Sequence, residues 1–152
     1  MHIVLVEPEI PQNTGNIART CALTGTTLHL VKPLGFSLAD RYLKRAGLDY
    51  WNQVKVLVWD TFDDIKAAFK GANFYLATTK ASRLYTEVSY LPQDFIVLGC
   101  ETRGLPAAML QEHQENTIRV PMRDLGRSLN LANTAAILLY EALRQQGFPQ
   151  LS

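Results

Sequence analysis

The stretch that decides the fold is residues 128–147, SLNLANTAAILLYEALRQQG. Ser128 is a good N-cap and Gly147 a typical C-terminal stop, so the segment predicts one long helix. Apolar residues recur at helical spacing along one side of it, namely Leu129, Ala132, Ala136, Leu139, Tyr140 and Leu143. A second apolar side consists of Ala135, Leu138 and Ala142. Since such a helix is buried on both sides, we expect one side to face the core and the other a partner subunit.

Short apolar segments upstream of this helix alternate with helical ones. The predicted strands are residues 3–6, 28–31, 54–59, 74–78, 95–98 and 118–120. The predicted helices are residues 14–24, a short one near 39–46, one from 61 to about 70, and one from 106 to about 112. Thr61 and Asp64 form a capping box for the third of these, which is expected to turn Ile65, Ala68 and Phe69 inward. The alternation predicts a single α/β domain over residues 1–152, with a mostly parallel sheet and helices on both faces.

The composition excludes several classes of protein. Of the 152 residues, 47% are hydrophobic and 19% are charged, with 15 Lys and Arg against 14 Asp and Glu. This balance is typical of a folded domain and not of a disordered chain. No apolar run approaches the roughly 18 residues of a membrane span, and the start lacks the basic region of a signal peptide. Because Cys21 and Cys100 show no metal-type spacing, we expect no disulfide framework and a cytoplasmic location.

Two clusters of basic residues stand out against the near-neutral average. The first lies in the middle of the chain, close to Tyr50 and Trp51, and the second interrupts the acidic C-terminal third. Their members are Arg41, Lys44 and Arg45 in the first and Arg119, Arg123 and Arg127 in the second. Each cluster is either solvated surface or a local patch of the kind that a near-neutral chain needs in order to bind nucleic acid.

In parallel α/β sheets, ligands bind outside the carboxyl ends of the strands, so the loops that follow the strands are the candidate sites. These loops are residues 7–16, 32–53, 78–93, 99–106 and 121–128. No G-x-G-x-x-G or G-x-x-x-x-G-K-[ST] pattern occurs, which removes most support for dinucleotide and P-loop functions. Residues 14–16, TGN, are weakly similar to the phosphate loop of flavodoxins and leave an FMN-binding electron carrier as one alternative.

Metal and nucleophile chemistry find little support in the sequence. His2, His29 and His113 are scattered along the chain, so we expect no metal site. There is no G-x-S-x-G elbow for a nucleophilic serine. Cys100 has no histidine placed in sequence as a partner and is expected to be a small buried residue.

Three motifs, in order, resemble the SPOUT superfamily of S-adenosylmethionine-dependent RNA methyltransferases. They are residues 13–20, NTGNIART; residues 98–106, LGCETRGLP; and residues 118–122, IRVPM, followed by residues 128–133, SLNLAN. Residues 8–13, PEIPQN, 33–36, PLGF, and 45–50, RAGLDY, resemble the small TrmL (YibK-like) branch, the tRNA wobble-nucleotide 2′-O-methyltransferases. The match covers essentially the whole chain, although Cys100 stands where the family usually has proline.

The resemblance implies a reaction, a cofactor and an assembly. The reaction is methyl transfer from S-adenosylmethionine, without a metal, to the ribose 2′-hydroxyl of the wobble nucleotide of a tRNA. That nucleotide is a cytidine or modified uridine at position 34, and leucine tRNA is the expected substrate. The resemblance also implies a C-terminal trefoil knot made by loops 77–80, 99–105 and 120–129, and an obligate homodimer with Tyr140 at or near the interface. A catalytically inactive RNA-binding or assembly module of the same fold is the alternative.

The resemblance assigns candidate site residues as well. Its cofactor contacts carry over to Ala77, Gly99, Val120, Ser128 and Leu129. Arg19 matches the arginine at the acceptor hydroxyl, where it would orient the ribose-phosphate and help the proton leave. Asn13 and Glu101 are supporting catalytic candidates, with a turn-forming amide and a loop-capping carboxylate as their structural alternatives. Since no separate RNA-binding domain is present, we expect the catalytic domain to grip tRNA itself, through Arg41, Lys44 and Arg45.

Overall fold

The computed structural model describes residues 1–39, 41, 43, 45 and 50–152. The strands within these residues are β1 (His2–Val6), β2 (Thr27–Val31), β3 (Val56–Trp59), β4 (Phe74–Ala77), β5 (Phe95–Leu98) and β6 (Thr117–Ile118). The helices with defined bounds are α1 (Pro11–Thr24), α2 (Phe62–Ala68), α3 (Ala107–Glu112) and α4 (Leu131–Gln145). Single 3₁₀ turns occur at Trp51–Gln53, Tyr85–Glu87 and Gln114–Asn116. In the predicted helix near 39–46, Arg41, Leu43 and Arg45 are helical, and Lys44 lies outside the described residues.

The strands form one parallel sheet in the order β3-β2-β1-β5-β4-β6. The order reverses between β1 and β5, because β2 and β3 continue on one side and β4 and β6 on the other. Ligand sites of such sheets lie at the carboxyl ends of the strands beside the reversal. The predicted parallel sheet is confirmed, and its topology directs the search for a site to the carboxyl ends of β1 and β5.

Helices cover both faces of this sheet. Alternate residues of a strand point to opposite faces. In β1, Ile3 and Leu5 belong to a core with α1 and α4, whereas Val4 and Val6 belong to a core with α2 and α3. The prediction of helices on both faces is therefore confirmed. Among the described residues, no helix has the length and apolar character that a membrane crossing requires.

Helix α1 begins at Pro11, three residues before the predicted start. Proline suits the first turn of a helix, because it has no N–H group to leave unpaired there. Thr14 and Gly15 consequently lie inside α1 and are buried. Since they form no phosphate loop, the flavodoxin-like, FMN-binding alternative loses the sequence feature that supported it.

The predicted N-cap of the last helix is wrong by two residues. The N-cap is Asn130, whose Oδ1 accepts hydrogen bonds from the N–H groups of Ala132 at 2.8 Å and Asn133 at 3.3 Å. Asparagine caps a helix about as well as serine does. Ser128 and Leu129 are left in the exposed loop 121–130, where they are free to line a site.

The two sides of α4 also differ from the predicted division. Leu139 and Leu143, expected on the side of Tyr140, are buried in the core with the second apolar side. The outward apolar surface of α4 consists of Ile137, which is 36% exposed, and Tyr140, which is 48% exposed. The helix is thus apolar on both sides, as predicted, but its outer apolar side contains fewer residues than the predicted stripe.

The predicted capping box of α2 is confirmed. Thr61 Oγ1 accepts from the N–H of Asp64 at 3.2 Å, and Asp64 Oδ2 accepts from the N–H of Thr61 at 3.0 Å. Ile65 is buried as predicted, together with Phe62 in the first turn. The inward placement of Ala68 is wrong, since this residue is exposed at the end of the helix.

Two histidines that are distant in the sequence meet in the sheet. His2 and His29 lie on adjacent parallel strands, with His2 Nδ1 and His29 Nε2 3.0 Å apart. Trp59 Nε1 donates to His29 Nδ1 at 3.0 Å, and His2 Nε2 is 3.2 Å from Gln93 Oε1. Because an indole N–H only donates, His29 must donate from Nε2 to His2, which donates onward to Gln93. Both rings are therefore neutral, and burial lowers the pKa of both, that of His29 to about 3.

Candidate active site

A cleft of about 480 Å³ opens at the carboxyl ends of β4, β5 and β6, below the loop 121–130. This volume falls within the roughly 300–1,000 Å³ of small-molecule pockets. The structure brings all five predicted cofactor residues to its lining, namely Ala77, Gly99, Val120, Ser128 and Leu129. Apolar side chains of Leu98, Leu105 and Ile118 lie beside them. The cleft thus combines apolar walls with the backbone groups of three loops.

Gly99 is required by the loop that follows β5. A Cβ at this position would lie 2.0 Å from the carbonyl carbon of Gly104 and 2.2 Å from the nitrogen of Leu105. No side chain fits at such a distance, so any substitution of Gly99 displaces the loop. Gly104 has a φ of +69°, a conformation that favours glycine. The glycines therefore let the loop fold closely on itself, which shapes one wall of the cleft.

The carboxylate of Glu101 caps α1 from another part of the chain. Its Oε2 accepts from the N–H of Glu9 at 2.8 Å, and its Oε1 accepts from the N–H of Ile10 at 3.0 Å. Ile10 is the N-cap of α1, and it has no side-chain cap of its own. A negative charge at this end of a helix is stabilised by the unpaired N–H groups and the helix dipole. Glu101 therefore fixes the loop 99–106 against the amino end of α1.

A reciprocal contact returns from the α1 side to the same loop. The carboxylate of Glu9 accepts from the N–H of Thr102 at 3.2 Å and from its hydroxyl at 2.8 and 2.9 Å. Arg103 Nη2 adds weaker ion contacts, 3.9 Å from Glu9 and 3.7 Å from Glu7. Each loop thus supplies a carboxylate to the backbone of the other, and the two loops are held as a unit.

Asn13 connects this pair of loops to α4. Its Nδ2 donates to Glu101 Oε1 at 3.2 Å, and its Oδ1 accepts from Asn130 Nδ2 at 3.1 Å. Both Asn13 and Asn130 line the cleft. Sequence reasoning missed Asn130 because the predicted stripe already begins at Leu129, although asparagine is a residue type that favours the N-cap position.

Arg19 lies apart from the cleft. It is exposed on α1, and its guanidinium carbon is 4.9 Å from the centre of the Tyr50 ring, a cation–π contact. Arg41 and Arg45 are also exposed. The structure therefore separates the predicted site residues into those that line the cleft and the exposed arginines Arg19, Arg41 and Arg45, which do not. Where residues are described, no group of three or more His, Cys, Asp or Glu is placed to hold a metal ion.

Comparison with known proteins places this architecture in a family. The model of the SpoU rRNA Methylase family matches residues 1–140. The chain is 51% identical over 147 residues to a tRNA (cytidine(34)-2′-O)-methyltransferase of Methylovorus glucosotrophus (strain SIP3-4), and the match covers 96% of each protein. This family is the one that the motifs of the sequence resemble.

Solved structures extend the similarity to the fold. One, described by the words "Structural insights into the 2-OH methylation of C/U34 on tRNA", has a TM-score of 0.91 and 42% identity and covers 96% of this chain and 95% of its own. An AdoMet-bound rRNA methyltransferase from Sinorhizobium meliloti has a TM-score of 0.84 and 25% identity. In that case the match covers 99% of this chain and 57% of the other.

Proposed function

This chain belongs to the SpoU rRNA methylase family, and on that premise we propose that it is a tRNA 2′-O-methyltransferase. It transfers a methyl group from S-adenosylmethionine to the ribose hydroxyl of nucleotide 34, a cytidine or modified uridine. The observation that carries the proposal is the convergence of five residues, from four separate places in the chain, on one cleft at the carboxyl ends of the strands. The relative from Methylovorus glucosotrophus carries the name of this activity at 51% identity.

The cleft fits S-adenosylmethionine in size and in chemistry. The apolar side chains of Leu98, Ile118 and Val120 would suit the purine ring of the cofactor, and the backbone of Gly99 and Leu129 would supply hydrogen-bonding groups to it. When bound, the cofactor supplies an electrophilic methyl group on a sulfonium leaving group. The protein then has to orient the acceptor oxygen in line with that methyl group and remove its proton.

We assign the acceptor side of the reaction to Arg19. A guanidinium is a poor base, because its pKa is above about 12 in proteins. Its planar donors suit a ribose-phosphate, so Arg19 orients the nucleotide while a phosphate oxygen takes the proton. Asn13 and Glu101 act as positioning residues, since the carboxylate of Glu101 already accepts three hydrogen bonds.

A homodimer would explain how Arg19, which lies apart from the cleft of its own subunit, can act at a cofactor cleft. Leu23 on α1 is 56% exposed, and Ile137 and Tyr140 on α4 are 36% and 48% exposed. Helices α1 and α4 share the same core on one face of the sheet. Pairing of α4 with α1 of a second copy covers these side chains and brings Arg19 towards the cleft of that copy. The resemblance implies the same pairing, which supports it independently.

Four further expectations from the sequence remain part of the proposal. Arg41, Lys44 and Arg45 contact tRNA phosphates, and leucine tRNA is the substrate, which places the reaction in the cytoplasm. The trefoil knot is supported by the approach of residues 77–80, 99–105 and 128–129 to a single cleft. The inactive-module alternative is disfavoured because the cleft, Arg19 and the positioning residues are all present.

Methyl transfer to defined tRNAs tests the proposal. The purified protein is incubated with labelled S-adenosylmethionine and leucine tRNA from a strain that lacks the gene. A matched tRNA carries 2′-deoxyribose at nucleotide 34 and therefore lacks only the acceptor hydroxyl. We expect label at nucleotide 34 of the first tRNA and none in the second. Cofactor binding without transfer to any tRNA would establish the inactive module instead.

A further inference from the structure

Four basic residues lie in or directly beside the segments that line the cleft, and we call them the cleft rim. They are Lys80, Arg119, Arg123 and Arg127. Lys80 lines the cleft directly. Each arginine is the chain neighbour of a lining residue, which is Val120 for Arg119, Met122 for Arg123 and Ser128 for Arg127. The positive charges of the rim are therefore carried by the same chain segments that line the cleft.

The rim cations have no acidic partner among the residues that the structure describes. Some cations elsewhere do have one: Lys32 pairs with Asp60 at 3.1 Å, and Arg144 with Glu141 at 2.8 Å. The acid within the rim loop, Asp124, accepts from the N–H of Gly126 at 3.2 Å. Because the rim charges are not neutralised within the fold, they remain available to an anionic ligand.

Apolar side chains are interleaved with these cations. Every residue of the loop 121–130 is exposed. Leu125, between Arg123 and Arg127, is 76% exposed, the highest value among the large hydrophobic residues described, and Met122 is 38% exposed. Unpaired RNA presents phosphates together with the flat faces of unstacked bases, whereas duplex RNA hides its bases. The alternation of arginine and apolar residues fits a single-stranded loop of RNA.

We propose that the cleft rim binds the phosphates on either side of the methylated nucleotide, with Leu125 against an adjacent unstacked base. This inference rests on the proposed function and identifies the part of the tRNA, its single-stranded loop, that this face recognises. The rim belongs to the cofactor cleft and is distinct from the cluster of Arg41, Lys44 and Arg45.

The salt dependence of tRNA binding measures the contribution of the rim. In the double variant Arg123→Ala and Arg127→Ala, the affinity for tRNA should fall by about tenfold at 0.1 M salt, because two phosphate contacts are lost. The slope of log affinity against log salt should decrease by about 0.7 for each lost contact with single-stranded RNA. S-adenosylmethionine affinity, measured by calorimetry without RNA, should remain that of the wild type.

Matched variants separate phosphate binding from a loss of folding. Lys55 and Lys70 are exposed and precede β3 and β4, at the opposite end of the sheet from the cleft. Their replacement by alanine removes the same charge and should leave the slope unchanged. Arg123→Lys with Arg127→Lys should retain most of the slope of log affinity against log salt. Leu125→Ser should weaken tRNA binding but leave this slope unchanged.

The outcomes distinguish the rim from the proposed function. If the wild type methylates tRNA but the double alanine variant has the slope of the Lys55 and Lys70 control, the rim proposal is wrong. If the wild type binds S-adenosylmethionine but neither binds nor methylates any tRNA, the proposed function itself fails. Loss of S-adenosylmethionine affinity in the variant with Arg123→Lys and Arg127→Lys would show that the rim shapes the cofactor loop and does not bind RNA.

Discussion

Asn130 Nδ2 donates a hydrogen bond of 3.1 Å to Asn13 Oδ1, which joins the amino ends of α4 and α1. Asn13 also donates to Glu101, so the loop after β5 belongs to the same chain of hydrogen bonds. Ser128 and Leu129 directly precede Asn130 and line the cleft. The shape of the cofactor cleft therefore depends on this contact between two amides.

Asn130 should affect both stability and cofactor binding, and two substitutions separate the effects. Asn130→Ala removes the cap and should lower the free energy of unfolding by about 1–2 kcal/mol. Asn130→Asp keeps the cap acceptor but lacks the donor to Asn13, so stability should be retained while S-adenosylmethionine binds more weakly. Urea unfolding and calorimetry measure the two quantities. Wild-type cofactor affinity in Asn130→Asp would contradict the positioning role.

Glu101 should behave as a structural carboxylate. Glu101→Gln replaces one acceptor oxygen with an NH₂ group that faces the N–H donors of the α1 end. Loss of charge-assisted hydrogen bonds should cost about 1.5–3 kcal/mol of stability. Turnover should fall together with cofactor affinity. A variant with wild-type stability and affinity but no turnover would instead make Glu101 the proton acceptor.

Arg19 should affect turnover without affecting the cofactor. Since it lies outside the cleft, Arg19→Ala should lower turnover at saturating cofactor by about 100-fold and change S-adenosylmethionine affinity little. Arg19→Lys keeps the charge but loses the planar donors, so it should rescue turnover only partly. Tyr50→Phe keeps the ring under Arg19 and serves as the control. Weakened cofactor binding with intact turnover at saturation would refute this assignment.

The buried pair of His2 and His29 should destabilise the protein in acid. The folded-state pKa of His29 is lowered to about 3 by burial, whereas the unfolded chain binds a proton near pH 6.5. The contribution of these neutral histidines to the free energy of unfolding is thus complete above pH 6.5. It is lost as the pH falls towards 3, by about 1.4 kcal/mol per pH unit for His29. NMR titration should show the ring of His29 neutral at pH 5.5. A ring of His29 that is protonated in the folded protein at that pH would contradict the hydrogen-bond directions.

The sheet was predictable from local signals in the sequence, whereas the residues that line the cleft were assigned by the resemblance of the motif loops to a known family. Apolar runs fix strands, and the motif loops follow the ends of those strands. The hydrogen bond between Asn13 and Asn130 could not be predicted from local signals, because tertiary packing brings these two residues together. His2 and His29 failed to stand out for the same reason, because only the pairing of β1 with β2 brings them together. Ser128 was predicted as the N-cap because serine caps helices well, and Asn130, an equally good type of cap, was missed two residues further on.

The outer side of α4 provides the last prediction, that the protein is a homodimer through Tyr140. Tyr140 is 48% exposed and Ile137 is 36% exposed on a helix whose other side is buried in the core. Tyr140→Asp places a charge on this apolar surface and should produce a monomer in sedimentation at micromolar concentration, whereas Tyr140→Phe should remain dimeric.

Assembly and activity should be coupled in this dimer, because α4 begins directly after the loop that lines the cofactor cleft. The start of α4 is held by Asn130, and its outer side carries Tyr140 two to three turns further on. Tyr140→Asp should therefore weaken S-adenosylmethionine binding as well as dimerisation, and abolish turnover, since Arg19 no longer reaches a neighbouring cleft. A wild-type monomer at micromolar concentration refutes the dimer. A monomeric Tyr140→Asp variant that binds cofactor like the wild type refutes the coupling, and one that also methylates tRNA shows that Arg19 acts within its own subunit.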